Sequence, residues 1–270
     1  MNVRIAIFNQ KGGTGKTTVA LNLAAGLAEL GKEVLVVDLD GQESSLTAAL
    51  GIGADIHAKA GDSIFSMLVD MEGNPNALIL RAPHDDFDVL PGHVKMSQAE
   101  GKLGPERNRE WRLARVFKAI RKPYDFILVD CPPGTGAISD NALLACQRVL
   151  APAEMHEAFM PSISGVMMQL RSLGRIFEVT VDMIGFVPVA YRGTPDEVAY
   201  LEALQAERPE WVTPKLGYRK AIMNASRVAG HSVFSYRPAK RHRKEALRRC
   251  QEEYRELAAH VMQRTAGEGS

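Results

Sequence analysis

Cysteine is scarce in this chain and poorly placed for chemistry. Its three thiols, Cys131, Cys146 and Cys250, lie far apart and form neither a CxxC pair nor a Cys/His ligand spacing. A disulfide scaffold and a structural zinc are both unexpected on that basis. Long apolar runs are missing too. Nowhere do eighteen consecutive apolar residues occur, so no transmembrane helix is expected. The amino terminus lacks a basic region followed by an apolar stretch and cleavage site, and a cytoplasmic location is the expectation. No repeat, low-complexity tract or flexible linker divides the 270 residues, so one domain over 1–265 with a short tail at 266–270 is the economical organisation. The seven histidines, His57 among them, are scattered without ligand spacing. Trp111 and Trp211 are expected to pack helices against a sheet or to cover a subunit contact.

Net charge is also nearly absent, at +1, which argues against a generic polyanion binder. The balance is uneven along the chain, however. Between Lys215 and Cys250 stand eleven Lys or Arg against one acid, Glu245, so these 36 residues carry +10 and the remainder sums to −9.

What is present is an alternation of short β-branched runs with longer helical patterns. Such alternation predicts an α/β fold, a mostly parallel twisted sheet with helices on both faces. Strands are predicted at 3–8, 33–40, 87–92, 124–134, 148–152 and 182–189, and helices at 17–31, 109–121, 139–146, 161–178, 196–207 and 240–264. "EVLVVDLD" and "YDFILVDCPPG" are apolar on both faces and therefore central. The less periodic stretch 51–86, with its "GNPN", is expected to be an insertion or surface excursion.

Directly after the first strand comes "NQKGGTGKTT", Asn9 to Thr18, which contains G-x-x-x-x-G-K-[ST]. Gly12, Gly13, Thr14 and Gly15 turn backbone N–H groups inward on phosphate, and the helix that follows adds its positive end. In this motif Lys16 reaches the outer phosphates and Thr17, followed by Thr18, offers a hydroxyl to Mg²⁺. Hydrolysis also needs a carboxylate for the metal and an acceptor that orients water. Asp130 stands at the end of one buried strand, and Asp38 and Asp40 at the end of another, where parallel sheets collect ligands. Nothing in the cradle itself calls for a second lysine, Lys11, ahead of the glycines.

These segments resemble the ParA/MinD group of deviant Walker P-loop ATPases. Lys11 in "KGGTGKTT" matches that group's signature lysine, "DLDGQ" its first switch, and "VDCPPG" its second. The similarity continues through "GFVPVAYRGT" and "AGHSVFSYRP…EYRELAAHV", and within the group it is closest to the small ParA partition ATPases. The resemblance implies ATP and Mg²⁺ as cofactors and a homodimer closed around two ATP molecules, with Lys11 at the dimer contact. It implies catalytic roles for Lys11, Lys16 and Asp40, the last orienting water, and places Asp38 and Asp130 on the metal's water shell with Thr17. Gly41 stands where the group usually has proline, which is expected to loosen the first switch, while Gln42 matches. The adenine pocket is expected at Val187 to Tyr191, with Pro188 and Val189 as contacts.

The cationic third suits non-specific, salt-sensitive contact with DNA phosphates, and the resemblance implies the same for the ATP-bound dimer. The candidate contacts are Lys215, Arg219, Lys220, Arg227, Lys240, Arg241, Arg243 and Lys244. The implied function is plasmid or chromosome partition driven by a ParB-like adaptor that stimulates hydrolysis, on the nucleoid. The alternative is ATP-dependent positioning of a protein or membrane-associated cargo. A MinD-like carboxyl-terminal membrane helix is not expected, because "LAAHVMQRTAGEGS" lacks bulky apolar residues on one face. No amino-terminal helix-turn-helix segment is expected ahead of the first strand.

Overall fold

β1 (Val3–Ile7), β2 (Val34–Asp38) and β5 (Phe126–Asp130) form the centre of a sheet: β2 and β5 are buried throughout and apolar on both faces up to their terminal aspartates, and β1 is buried from Ile5 onward. The computed structural model describes residues 2–41, 45–52, 63–103 and 108–266, without the side chain of His242. The sheet has seven strands in the order β3-β4-β2-β5-β1-β6-β7, where β3 is Leu80–Arg81, β4 Asp88–Leu90, β6 Arg148–Glu154 and β7 Asp182–Val189. Every pairing is parallel except β3 with β4 at the edge.

Alternate residues divide the core in two. Ala6, Phe8, Leu35, Val37, Ile127 and Val129 face one cluster, and Ile5, Ile7, Val34, Val36, Phe126 and Leu128 face the other. In chain order the helices are α1 (Lys16–Glu29), α2 (Leu46–Ala49), α3 (Ile64–Val69), α4 (Pro75–Leu78), α5 (Met96–Lys102), α6 (Arg112–Ala119), α7 (Ala137–Cys146), α8 (Phe159–Phe177), α9 (Pro195–Glu207), α10 (Lys220–Val228) and α11 (Arg241–Thr265). The first cluster takes α6, α7 and α8, while the second takes α1 and α11.

Two expectations need correction. The 51–86 stretch is not simply a surface excursion: within its described part Ile64, Phe65, Met67 and Leu68 are core residues of α3, and Leu80–Arg81 extends the sheet. Helices α5 and α10 are not among the predicted ones: both are short, α5 carries a Gly and mostly polar residues, and α10 lies inside the cationic run. His57, Gln42 and tail residues 267–270 lie outside the described residues.

The carboxyl-terminal third is fastened to α1 by one buried amide. Asn22 Nδ2 donates to the Thr18 carbonyl at 2.8 Å, and Asn22 Oδ1 accepts from the Val233 N–H at 2.8 Å. Arg255 adds a pair of hydrogen bonds to Glu29, at 2.5 and 2.8 Å. Asn22→Ala leaves the Val233 N–H without its buried acceptor. The expected loss is about 1–3 kcal/mol of unfolding free energy, measured as a lower denaturant midpoint at constant m-value. An unchanged midpoint contradicts this anchoring role.

Candidate functional site

The strand order explains why the singled-out acids converge. β5 lies between β2 and β1, with Asp38 opposite Asp130 and Ile7 opposite Asp130 in register. The carboxyl ends of β2 and β5 therefore open beside the loop that leaves β1. That loop turns through Gly13 at φ 76° and Gly15 at φ 82°, left-handed conformations that suit glycine. α1 then begins at Lys16, with no side chain capping its first N–H groups, so those donors remain available to an anion.

Lys16 is nearly buried, and its Nζ donates to the Lys11 carbonyl at 2.9 Å, folding the loop over itself. Burial lowers the lysine pKa from its ordinary value, and the acidic groups around it, Asp130 and Asp40 among them, oppose that shift. Asn9 anchors the same loop: its Oδ1 accepts from the Lys11 N–H at 3.1 Å and its Nδ2 donates to the Pro152 carbonyl at 2.9 Å. The Lys11 side chain, by contrast, is exposed.

The two buried aspartates differ sharply. Asp38 Oδ2 accepts from both the Thr47 N–H, at 2.8 Å, and the Thr47 hydroxyl, at 2.5 Å, and its Oδ1 accepts from the Asp40 N–H at 3.0 Å. Its carboxylate thus ties the start of α2 to the turn after β2 and is already well satisfied by protein donors. Asp130 is fully buried and neither oxygen is held by a hydrogen bond of good geometry among the described residues; the neighbouring Thr17 hydroxyl favours its charged form. Burial, followed by the nearby Asp38 charge, pushes the Asp130 carboxyl well above the usual carboxylate range. A buried, unsatisfied carboxylate beside a hydroxyl fits a hydrated divalent cation, so Asp130 and Thr17 are the residues that could hold Mg²⁺. Thr47, which had no motif to announce it, positions Asp38.

Half-buried Asp40 follows at the mouth of this site. Beyond it Gly41 packs so closely on the start of α5 that a Cβ would lie 2.5 Å from the Ser97 nitrogen. The glycine is there for close approach, not for looseness as the sequence reading expected, and a proline ring would require α5 to move.

A cavity of about 320 Å³ continues from Gly13 and Gly15 along Val189, with Leu216 to Lys220, Cys250 and Tyr254 forming its far wall. Val189 lines this cavity, its Cγ atoms 3.8 Å from where a Gly15 Cβ would stand. Pro188 does not line the cavity; it is buried within β7 and its carbonyl accepts from the Leu216 N–H at 2.8 Å. The far wall comes from segments tens of residues further on, so no local pattern announced it.

The eight candidate DNA contacts do not behave alike. Arg219 makes a bidentate pair with Glu253, at 2.9 and 3.1 Å, and Glu253 also accepts from the Gly217 N–H at 3.0 Å. It is therefore a cavity wall held by an ion pair and not a free phosphate contact. Lys220 also lines that cavity, and Lys215 lies over the Tyr191 ring at 4.9 Å. Arg227, Lys240, Arg241 and Lys244 are exposed, with Arg243 half-buried. Lys240, Arg241, Arg243 and Lys244 cluster at the start of α11 and form no ion pair among the described residues. Arg248 and Arg249, one turn later, pair with Glu252 and Glu245 at i,i+4 spacing, as a solvated helix face does.

Fold and site together define a P-loop nucleotide-binding α/β protein. Residues 2–182 match the AAA domain family, and the chain belongs to it, as a P-loop ATPase of the ParA/MinD type. It is 38% identical over 168 residues to the sporulation initiation inhibitor protein Soj of Bacillus subtilis, covering 62% of this chain and 64% of that protein. It is 34% identical over 174 residues to the chromosome partitioning protein ParA of Caulobacter vibrioides, covering 64% of this chain and 62% of that protein. The match thus spans just under two thirds of the length of each relative. Among solved structures, a Mycobacterium smegmatis cobyrinic acid a,c-diamide synthase with bound ADP and magnesium superposes with TM-score 0.77 at 25% identity, over 99% of this chain and 96% of that one. The septum site-determining protein MinD of Pyrococcus horikoshii shares the fold, with TM-score 0.76 at 24% identity over 99% of this chain and 98% of that one. Among the described residues no helix is long and apolar enough to cross a membrane.

Proposed function

We propose that this chain is a Mg²⁺-dependent ATPase that pairs with a second copy on binding ATP, holds DNA non-specifically in that state, and releases it after partner-stimulated hydrolysis. The observation that carries the nucleotide reading is the buried Asp130 carboxylate, whose oxygens are held by no hydrogen bond of good geometry among the described residues, set beside Thr17 and the glycine loop. Mg²⁺, when bound, would neutralise phosphate charge and polarise the bond to be cleaved. The chain's own groups do the rest. Gly12 to Thr18 bind phosphates through backbone N–H groups, Lys16 contributes a buried cation, and Asp40 orients the attacking water. Asp38 holds the first switch in place through Thr47. Val189 and the 216–220 segment enclose the base.

The partition role is supported by likeness to proteins named for sporulation control and chromosome partitioning, and by the cations at the head of α11, which form no ion pair among the described residues. With Arg219 engaged by Glu253, the proposed DNA contacts are Arg227, Lys240, Arg241, Arg243 and Lys244, with Lys215 and Lys220 nearer the nucleotide. A small basic DNA-binding adaptor of the ParB kind is the proposed trigger, on the nucleoid in the cytoplasm.

Lys11 is exposed and follows an anchored Asn9, so it can reach across to a second copy's phosphates. Lys11→Ala is expected to bind nucleotide as a monomer within about threefold of wild type. It should remain monomeric by gel filtration with Mg²⁺ and a non-hydrolysable ATP analogue, under conditions where wild type becomes a dimer. A Lys11→Ala dimer would remove this residue from the contact, and a wild-type protein that stays monomeric would remove the pairing itself.

A further inference from the structure

The segment from Gly92 to Lys102 touches both loops that face the proposed γ-phosphate position. At its start, the Gly92 N–H donates to the Thr47 hydroxyl at 2.8 Å, the same hydroxyl that donates to Asp38. Gly92 approaches so closely that a Cβ there would lie 2.8 Å from the Asp38 carboxylate. One turn on, Met96 and Ser97 receive Gly41, with 2.5 Å between the Ser97 nitrogen and a hypothetical Gly41 Cβ. A further turn brings Glu100 to the other loop. Its Oε2 accepts from the Ala137 N–H at 2.8 Å and its Oε1 from the Ile138 N–H at 3.0 Å. These are the first two N–H groups of α7, the helix that follows the "VDCPPGTG" loop. α7 has no cap from its own N-cap residue, Gly136, and a Cβ there would fall 2.3 Å from the Glu100 carboxylate. The VDCPPGTG loop in turn touches the phosphate cradle, with the Gly134 N–H donating to the Gln10 carbonyl at 2.9 Å.

We propose that α5 is a strut linking the first switch to the second, and that Glu100 is a positioning residue through which the setting of Asp40–Gly41 and that of the Asp130–Gly136 loop become interdependent. The contacts at either end leave little slack. Gly41 meets α5 backbone at a distance that tolerates no side chain, and α7 receives a carboxylate across both of its leading N–H groups. A charge-assisted bidentate cap of this kind is stronger and more directional than a neutral one. Movement of the first switch displaces α5, which withdraws or advances Glu100, and the second switch then loses or regains its helix cap. The inference deepens the ATPase reading, which it needs only for its kinetic consequence.

The test uses the full-length protein without nucleotide, followed by amide hydrogen exchange, in Glu100→Ala, Glu100→Gln and Gly41→Ala. Glu100→Ala is expected to speed exchange at Ala137 and Ile138 by about tenfold, the size of a lost charged cap, and to loosen the Asp40–Gly41 amides as well. Glu100→Gln keeps one acceptor and should fall between, which also covers a failure of the alanine variant to fold. The decisive arm is Gly41→Ala, made at the other end of the strut. It should raise exchange at Ala137 and Ile138, whereas changes confined to 39–41 and 93–99 overturn the coupling. In the kinetic arm, Glu100→Ala lowers kcat about tenfold with KM within about twofold, measured far enough below Tm that the few degrees lost with the cap leave the variant folded. A loss that merely follows a lowered Tm overturns the positioning role. If wild type hydrolyses no ATP, the ATPase reading fails, and the exchange arms still decide the strut.

Discussion

Asp40→Ala is expected to stop hydrolysis while leaving nucleotide binding within about twofold of wild type, a fall in kcat on the order of 10²–10⁴-fold for removal of a general base or water-orienting group. The separation of effects follows from position. Asp40 is half-buried at the mouth of the site, past the strand end, and its backbone N–H is held by Asp38 Oδ1 at 3.0 Å. Removing its side chain deletes the carboxylate proposed to orient the water and leaves intact both the cradle and the Asp38–Thr47 contacts. Lys16→Ala gives the opposite pattern. Its ammonium is buried against the loop it must hold, so the alanine variant loses a charge-assisted contact to phosphate in ground and transition states alike. Titration with a fluorescent ADP analogue beside steady-state phosphate release separates the two. Near-normal turnover in Asp40→Ala would assign the water to another group, and unchanged affinity in Lys16→Ala would contradict the phosphate site.

The second large effect is electrostatic. Changing Arg241, Arg243 and Lys244 together to Glu reverses six units of charge at the head of α11, where these cations have no acidic partner among the described residues. DNA retention with ATP should fall by about 10³-fold or more at moderate salt. In the wild type, with about five phosphates neutralised, log affinity should decline against log salt with a slope of roughly −4 to −5. The far wall of the cavity includes Cys250 and Tyr254 of the same helix. They stand six to ten residues beyond Lys244, the nearest of the three, which is about 9–15 Å along a helix. The triple variant should therefore bind nucleotide normally and dimerise normally. Filter binding and gel filtration on the same preparations check this. Retained DNA binding would move the contact surface elsewhere, and a flat salt response would remove the phosphate account. Arg248→Glu is the informative control: that guanidinium already faces Glu252 at 3.1 Å, so its reversal should matter much less.

Much of the site was legible because its parts are local. The glycine loop, Lys16 and Thr17 are neighbours in sequence, and the aspartates follow apolar runs that can only be buried strands. The cationic third was legible as a composition but not as a surface. Arg219 reads as one more free cation until Glu253, 34 residues later, is seen across from it. Gly41 reads as a lost proline until α5 is seen against it. Pro188 reads as Val189's equal until the strand is seen folded: Pro188 is buried within β7, while Val189 beside it lines the cavity next to the glycine loop.

The order of the elements, the phosphate loop, the three acids at strand ends and the charge asymmetry all follow from the chain read by itself, because each depends on residues within a turn or a strand of one another. Which aspartate is locked and which is open, what walls the cavity beside the glycine loop, which cations are paired and what α5 touches at either end were decided only on folding. Those properties arise from contacts between segments remote in sequence, where a backbone amide or a missing Cβ does the work and leaves no pattern in the residues nearby.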